Sequence, residues 1–371
     1  MEFTIDRDTF LKSLGHANGV IEKKTTLPIL SNVLIEVKQS KIKITATDLD
    51  IIYFEEITPK EVKNEGSTTT SATILYDILR KLQSNEEVKL TLVTQNKLKL
   101  TSGNSKFNLL CLPSENFPLS EDNNNQNNFE ISSQKLLRLL NKTKISISND
   151  ETRHYLNGIF LHKTKLENKS FLCGVATDSH RLSSSSIEID ENINIESVIL
   201  PKKTIFQLIS LLEQNVDSLK VSINKSKIKF EMNNGVLISK VIDGRFPDYN
   251  KVIPKTNDKI LEVKLNEFKD SIERVTTVST DRKEGLKMFI SKDAIQLSVN
   301  NPNSGEGVEN VNAKFNSDNL NISFNSRYLS DIASQIENDL IVINLKDPGS
   351  PILIRDLSDK NSFHVVMPMK I

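Results

Sequence analysis

Three stretches of the chain share one order of features, and this internal repeat restricts the possible folds more than any other property of the sequence. Short segments that alternate apolar and polar residues begin near Phe3, Phe129 and Leu261, which are 126 and 132 residues apart. A run with helical spacing follows each segment, and another comes midway through each copy. The repeat predicts three tandem domains at residues 1–125, 126–255 and 256–371.

Alternation of apolar and polar residues is typical of half-buried antiparallel strands, and it recurs throughout the chain. Clear examples are Ile42–Thr45, Lys97–Thr101, Lys227–Met232, Ile295–Val299 and Ile352–Ile354. Helical spacing predicts the midway helices over Ile74–Leu82, Ile205–Leu212 and Tyr328–Ile336. Each copy is therefore expected to be an α+β unit built on antiparallel sheet.

The polar stretches, the cysteines and the lack of long apolar segments indicate the linkers and the cellular location of the chain. The segments Asp122–Asn128 and Pro254–Asp258 are expected to be linkers. Cys111 and Cys173 lie in alternating apolar runs, which favours buried thiols over a disulfide. No apolar stretch is long enough for a membrane span, and the first residues do not resemble a signal peptide, so the cytoplasm is the expected location.

The charge of the chain is balanced but unevenly distributed. Forty-eight basic and forty-eight acidic residues give a formal net charge of zero, which argues against an ordinary high-affinity DNA-binding protein. The predicted helices nevertheless carry an excess of Lys and Arg. On one of them, Lys135, Arg138 and Lys142 form a stripe at i, i+3 and i+7. The stripe is either a solvated helix face or a surface that contacts phosphates weakly.

Six short motifs carry a resemblance to a known family. They are TLPIL at Thr26–Leu30, Thr47-Asp48-Leu49, RHYLNG at Arg153–Gly158, ATDSHRL at Ala176–Leu182, IDGRFPDY at Ile242–Tyr249 and VVMPMKI at Val365–Ile371. In order and spacing these motifs make the chain similar to the bacterial sliding clamp family, the β subunit of DNA polymerase III. The likeness covers essentially the whole chain.

This resemblance implies three tandem clamp domains, each with curved antiparallel sheet outside and two helices that line a ring. Two subunits would join head to tail, because heterologous contacts that close produce a ring. The family's subunit seam corresponds to Phe107 and Leu109 in the first domain and to Thr277 and Val278 in the third. Read without the family, these residues are ordinary core. The ring would encircle duplex DNA and tether the replicative polymerase for processive synthesis, without catalysis of its own.

A ring is retained on DNA by topology, so its phosphate contacts can be weak, which agrees with the zero net charge. The residues expected to face DNA are the stripe Lys135, Arg138 and Lys142 together with, by family position, Lys24, Arg80, His154, Tyr155, Lys202 and Lys203. One departure is the loop before Arg153, which Asp150 and Glu151 make acidic.

The resemblance also implies a groove that accepts short extended peptides with Leu and Phe anchors. Matching positions are Leu156, Thr177, His180, Arg181, Leu182, Pro247, Val252, Val365, Met367, Pro368 and Met369. Adaptable Met and Pro surfaces suit a site shared by several partners. The implied partners are the replicative polymerase, the clamp loader and repair or translesion polymerases. Pro351, Lys251 and Lys370 depart from the family pattern and are expected to influence peptide preference.

An enzyme and a peptide-binding scaffold are the two other classes of function to which the sequence could belong. Asp178, His180 and the serines at 183–186 could suggest a hydrolase, but nothing in the sequence brings a serine to the imidazole. The five histidines lack metal-ligand spacing and no nucleotide-binding loop is present, so neither metal nor cofactor is expected. A monomeric β-rich scaffold that binds peptides and not DNA is the alternative function.

Overall fold

The computed structural model describes residues 1–22, 26–119, 128–214, 217–279 and 285–369. Each of the six described α-helices begins at the residue that follows a strand. Polar side chains cap several of them: the Asp6 carboxylate accepts the Thr9 N–H at 2.9 Å, and Asn325 caps the last helix. The α-helices are α1 Arg7–Asn18, α2 Ala72–Lys81, α3 Ser133–Lys144, α4 Lys202–Leu212, α5 Leu265–Val275 and α6 Ser326–Ala333.

The strands follow the alternating segments predicted from the sequence. The first third of the chain contains β1 Glu2–Asp6, β2 Asn32–Lys38, β3 Lys41–Thr47, β4 Ile51–Ile57, β5 Glu61–Asn64, β6 Gly66–Ser71, β7 Glu87–Thr94, β8 Lys97–Ser102 and β9 Ser105–Leu112. The middle third contains β10 Asn128–Ser132, β11 Gly158–Leu166, β12 Lys169–Thr177, β13 Arg181–Ile189, β14 Val198–Pro201, β15 Ser218–Ile223, β16 Lys227–Glu231 and β17 Gly235–Lys240. The last third contains β18 Lys259–Lys264, β19 Gly285–Ile290, β20 Ala294–Asn301, β21 Gly305–Phe315, β22 Leu320–Asn325, β23 Leu340–Leu345, β24 Ile352–Asp356 and β25 Asp359–Val366.

The chain divides into two compact units. The first comprises Met1–Gln134 and Lys203–Val241, and the second comprises Lys135–Lys202 and Ile242–Ile371. Because these units combine segments from different copies of the repeat, the division at 1–125, 126–255 and 256–371 stays a prediction. Of the two expected linkers, Asp122–Asn128 lies outside the described residues except for Asn128, which begins β10.

The first unit is built on one antiparallel sheet of thirteen strands in the order β10-β15-β16-β17-β4-β3-β2-β6-β9-β8-β7-β1-β5. Helix α1 packs on α2 and on β3 and β4. The apolar residues at helical spacing along α1 are buried: Phe10, Leu14 and Ala17 are fully inaccessible, and Ile21, which follows the end of the helix, is buried too. The period of 3.6 residues thus indicates which face of α1 packs on the sheet.

The second unit contains an antiparallel sheet of twelve strands in the order β14-β11-β12-β13-β25-β24-β23-β18-β21-β20-β19-β22. Its largest core lies between α5, α6 and the strands of the last copy, with Phe268, Ile272 and Phe324 fully buried. A smaller core contains Leu156 and Val365. In the part of the chain that the structure describes, no helix is both long and apolar enough to cross a bilayer.

Both cysteines are buried free thiols, as predicted. Cys111 lies on β9, and Cys173 lies on β12 with its sulfur 3.5 Å from the Ser184 hydroxyl. Burial raises the pKa of both thiols, which disfavours the reactive thiolate. The cysteines therefore act as small core residues.

Candidate functional site

A cavity of about 260 Å³ opens in the second unit where β12 turns into β13. It collects side chains from four separate parts of the chain: the turn that ends at Leu156, the β12–β13 turn, the segment before Val252 and the end of β25. The lining residues are Leu156, Thr177, Ser179, His180, Arg181, Leu182, Pro247, Asp248, Tyr249, Val252, Val365 and Met367. Most of the predicted pocket residues are therefore neighbours in space.

The turn that forms one wall of this cavity is built by a Thr-Asp pair. The Asp178 carboxylate accepts the backbone N–H groups of His180 at 3.0 Å and Arg181 at 2.9 Å. The Thr177 hydroxyl donates to the Arg181 carbonyl at 2.7 Å, and Ser179 has a left-handed φ of 77°. These side-chain hydrogen bonds stabilise an Asx-type turn, which places Arg181 and the start of β13 at the wall of the cavity.

The first copy of the repeat has the same device. Thr47 donates to the Ile51 carbonyl at 2.9 Å, and the Asp48 carboxylate accepts the Ile51 N–H at 2.7 Å. The recurring Thr-Asp motif therefore sets strand connections, and Asp178 is engaged in backbone geometry. This use of the carboxylate differs from the role that a hydrolase would need.

The serine run after this turn is also structural. The Ser183 hydroxyl lies 2.8 Å from His364 Nδ1 and 2.7 Å from the Ser146 hydroxyl, all in buried surroundings. The pairing of β13 with β25 places Ser183 opposite His364, and not beside His180. The serines at 183–186 thus contribute to the packing of β13 against β25.

The floor of the cavity is buried and its mouth is apolar. Leu156, Leu182 and Val365 are each 2% exposed and belong to the smaller core, so they shape the cavity as well as stabilise it. Val252 and Met367 are 49% and 41% exposed at the mouth. An apolar floor with an apolar rim suits an apolar side chain that enters from solvent.

Two predicted pocket residues lie elsewhere. Met367 donates its N–H to the His180 carbonyl at 2.8 Å, but two residues further on the chain has left the cavity, and Met369 donates to the Ser323 carbonyl at 2.7 Å. Met369 thus lies beside β22, and Pro368 is not among the residues that line the cavity. Met369 lies away from the cavity because the chain after β25 is extended, and each extended residue advances the backbone by about 3.3 Å.

Three lining residues were missed by the prediction: Ser179, Asp248 and Tyr249. The Tyr249 hydroxyl lies 3.0 Å from His162 Nε2, and burial raises the pKa of Tyr249, so the phenol stays protonated. Burial also lowers the pKa of His162. The signal for Tyr249 was available, because it closes the IDGRFPDY motif that already contributed Pro247.

The predicted basic stripe on α3 divides into an exposed part and a neutralised part. Lys135 is exposed, whereas Arg138 lies 3.0 Å from Glu337 and 3.1 Å from Asp359. The Lys142 side chain is 3% exposed, and its ammonium lies 3.1 Å from Glu337. Lys142 is thus nearly buried between Glu337 and Asp356, at the junction of the second and third copies, which disfavours a contact of Lys142 with DNA.

The other predicted DNA contacts have varied surroundings. Lys203 bonds Asp48 at 2.6 Å and Glu22 at 2.8 Å; burial opposes its charge, but these bonds outweigh burial and raise the pKa of Lys203. Arg80 is exposed and lies 3.2 Å from Asp77.

Three further predicted positions lie in the second unit. Lys202 donates to the Asn149 side chain, and exposed His154 lies with Nε2 3.2 Å from the Asp243 carbonyl. The His154 ring packs edge-on against Tyr155, with 5.9 Å between ring centroids. Lys24 lies outside the described residues.

Two strand pairings join neighbouring copies of the repeat in the same way. In the first unit β4 pairs antiparallel with β17, with Ile52 opposite Ile238. In the second unit β13 pairs antiparallel with β25, with Leu182 opposite Val365. The fourth strand of one copy thus meets the last strand of the next copy at both junctions.

The remaining counterparts of these strands are β9 and β21, and each has an open edge. β9 pairs fully with β8 but reaches β6 only at Cys111 and Leu112. β21 pairs with β20 but reaches β18 only over its last three residues. Within the described ranges, the stretches 105–110 and 305–312 therefore lack a ladder partner on one side, and open edges of this kind invite pairing with another chain.

The predicted seam residues lie on or beside these edges. Phe107 and Leu109 belong to β9. Thr277 and Val278 lie in the 3₁₀ turn after α5, and the hydroxyl of Ser304, the residue before β21, donates to the Val278 carbonyl. Leu109 is nearly buried at 8% exposure, while Thr277 is exposed.

Comparison with known proteins gives matches to one family along the chain. The N-terminal, central and C-terminal domains of the DNA polymerase III beta subunit match residues 1–121, 130–248 and 250–370. The beta sliding clamp of Caulobacter vibrioides is 35% identical over 373 residues, and that of Escherichia coli K12 is 31% identical over 371 residues, in both cases over the full length of both proteins.

Solved structures agree with this assignment. The DnaN sliding clamp of Bartonella birtlesii bound to griselimycin superposes with a TM-score of 0.96 at 39% identity and covers both chains completely. A Caulobacter crescentus beta sliding clamp gives a TM-score of 0.96 at 35% identity and covers 100% of this chain and 99% of that one.

A fold of repeated antiparallel clamp domains defines a class of non-catalytic replication factors that confer processivity. The chain belongs to the DNA polymerase III beta subunit family, the beta sliding clamps. The prediction of the fold class and of sliding-clamp function is confirmed.

Proposed function

We propose that two copies of the chain join head to tail into a closed ring around duplex DNA. The observation that carries this proposal is the repeated pairing of β4 with β17 and of β13 with β25. The same rule applied to the open edges would pair β21 of one subunit with β9 of the next. An interface between two different surfaces closes into a ring when its rotation closes.

The repeat also supports a location for the seam residues. Leu109 pairs with Leu98 across the last hairpin of the first copy, as Ile238 pairs with Lys229 in the second copy. Ile238 faces β4 at the internal junction. Leu109 and its neighbour Phe107 are therefore proposed to face β21 of the partner subunit, next to Thr277 and Val278.

The ring needs only weak attraction to DNA, since it is retained by topology. We assign the DNA-facing surface to Arg80, Lys135, Lys202, Lys203 and Lys24, with His154 and Tyr155 nearby. Arg138 contributes less, because Glu337 and Asp359 compensate its charge. Weak and sequence-independent phosphate contacts allow a protein to move along the duplex.

The cavity between the β12–β13 turn and the end of β25 is proposed to accept short linear peptides with apolar anchors. Its buried floor and exposed Val252 and Met367 support this use. The replicative polymerase, the clamp loader and repair or translesion polymerases would dock there in turn. The protein would act in the cytoplasm with its three domains at 1–125, 126–255 and 256–371.

Light scattering and retention on DNA test the ring together. The chain is expected to show twice its 41.9 kDa mass. After loading by the cognate clamp loader with ATP, it should stay on nicked circular duplex and slide off once the circle is cut. Replacing Phe107 with Ser should yield monomers, whereas Phe289→Ser on β19, another partly exposed strand phenylalanine, should leave the dimer intact.

Other outcomes would decide against the ring. A monomer that binds peptides but is retained on neither form of DNA would establish the scaffold function instead. Equal retention on circular and linear DNA would show that attraction, and not topology, holds the protein. A dimer that persists in Phe107→Ser but dissociates in Phe289→Ser would move the seam to another edge.

A further inference from the structure

Asp331 on α6 lies outside the cavity but forms a hydrogen bond with Arg181, which lines it. Its Oδ2 lies 2.7 Å from Nη1 of Arg181, which lines the cavity at the start of β13. The link joins residues 150 positions apart within the second unit. Asp331 does not itself line the cavity but borders a separate polar groove of about 920 Å³ between α5 and α6. The hydrogen bond to Arg181 therefore connects Asp331 to the lining of the cavity.

The Arg181 guanidinium is enclosed by compensating groups. Besides Asp331, it donates from Nε to Asp178 Oδ2 at 3.0 Å, and it lies 4.3 Å from the centre of the Tyr328 ring. Its side chain is 8% exposed. The guanidinium and the two carboxylates form a group of three charges, and removing the Asp331 carboxylate leaves the Arg181–Asp178 pair alone.

This arrangement determines the electrostatic character of the cavity. Arg181 contributes a positive charge to a lining that is otherwise largely apolar, and Asp248 is the acidic residue among the lining side chains. Asp178 and Asp331 both accept hydrogen bonds from the guanidinium, so two carboxylates outweigh its single positive charge and engage its Nε and Nη1 donors. An apolar anchor then meets no unsatisfied charge, while an acidic side chain finds no free cation.

We propose that Asp331 is a positioning residue that sets the specificity of the peptide pocket. It keeps Arg181 paired, and so it favours apolar anchors and disfavours acidic ones. This inference rests on the proposed peptide-binding function and deepens it. Specificity here is a difference between two affinities, and the pairing acts on the disfavoured ligand as much as on the favoured one.

The test compares two labelled peptides by fluorescence anisotropy with the full-length protein. One carries Leu and Phe anchors on a neutral background, and the other has Glu in place of the Leu. In Asp331→Asn, the preference for the Leu peptide over the Glu peptide should fall by about tenfold, because the net charge of Arg181 and its acidic partners rises by one unit and repels the Glu side chain less. Raising the salt concentration should restore part of the preference.

Three variants serve as controls. Asp293→Asn removes the same charge from an exposed turn between β19 and β20 and should change neither affinity. Asp331→Glu retains a carboxylate and should retain most of the preference. In an Arg181→Gln background, Asp331→Asn should no longer alter the preference, since the residue that it acts through is gone. Thermal unfolding of each variant verifies that the fold is intact.

The outcomes separate this inference from the proposed function. If the unmodified protein does not bind the Leu peptide, the pocket assignment fails and the inference fails with it. If the unmodified protein binds but Asp331→Asn weakens both peptides equally, the pocket stands and Asp331 is merely structural. An unchanged preference in Asp331→Asn, or the same change in Asp293→Asn, likewise overturns the inference.

Discussion

Acidification should weaken the junction of β13 with β25, because a buried histidine there must remain neutral. His364 is 1% exposed, its Nδ1 lies 2.8 Å from the Ser183 hydroxyl, and its Nε2 has no hydrogen-bond partner among the described residues. Burial, assisted by the positive charges of Lys142 and Arg181, lowers the pKa of His364 to about 3.

The sign and size of the effect follow from proton linkage. Below its ordinary pKa of about 6.5 the unfolded histidine binds a proton that the folded one excludes, so stability is complete above that pH and is lost as the pH falls towards 3. Between about pH 7 and about pH 5 the loss amounts to roughly 2 kcal/mol of unfolding free energy.

The assay is an NMR titration of the imidazole together with urea unfolding at the two pH values. The His364 ring signals should show no titration down to about pH 4 in the folded protein. His364→Asn keeps a polar atom near Ser183 but cannot be protonated, so this variant should lose about 2 kcal/mol less on acidification. A His364 midpoint near its ordinary value, or an equal loss in both proteins, would refute the reasoning.

Two predictions concern other parts of the second unit. Replacing both Val252 and Met367 with Ser should weaken the Leu and Phe peptide by about tenfold in anisotropy, because apolar contact at the mouth is lost; unchanged affinity would mean that the mouth is elsewhere. Substitution of these exposed side chains affects peptide binding without loss of core packing, whereas truncation of the buried Leu182 would also destabilise the core. Lys142→Met should lower the unfolding free energy by about 3 kcal/mol, since it leaves the buried Asp356 carboxylate without its cation, yet leave DNA retention unaltered; a loss of retention with normal stability would return Lys142 to the DNA-facing surface.

Much of the fold could be predicted from local pattern. The alternating segments, the helices at each copy of the repeat and the buried cysteines depend on periods of 2 and 3.6 residues, which burial imposes on any strand or helix. The Thr-Asp turns at Thr47 and Thr177 were also open to prediction, because short polar side chains bond the backbone of their own turn. The resemblance to a family added the positions that gather at the cavity.

The surroundings of individual side chains could not be predicted where distant segments meet. On α3, spacing correctly assigned Lys142 to a polar stripe, but Glu337 and Asp356 arrive from the third copy and bury its charge. Met369 was grouped with Met367 because they are close in sequence, whereas the extended chain carries Met369 to β22. Tyr249 was overlooked as a lining residue although it lay within a recognised motif.

The repeat, the element types and the family can be read from the amino-acid sequence, because they depend on interactions within a turn, a strand or a helix and on motifs that recur in order. Which strand edges are paired and which charges are compensated depends on contacts between distant segments. β4 meets β17 and β13 meets β25, while β9 and β21 keep open edges. Pairing between separate copies of the repeat depends on relative position in space, which no local pattern encodes.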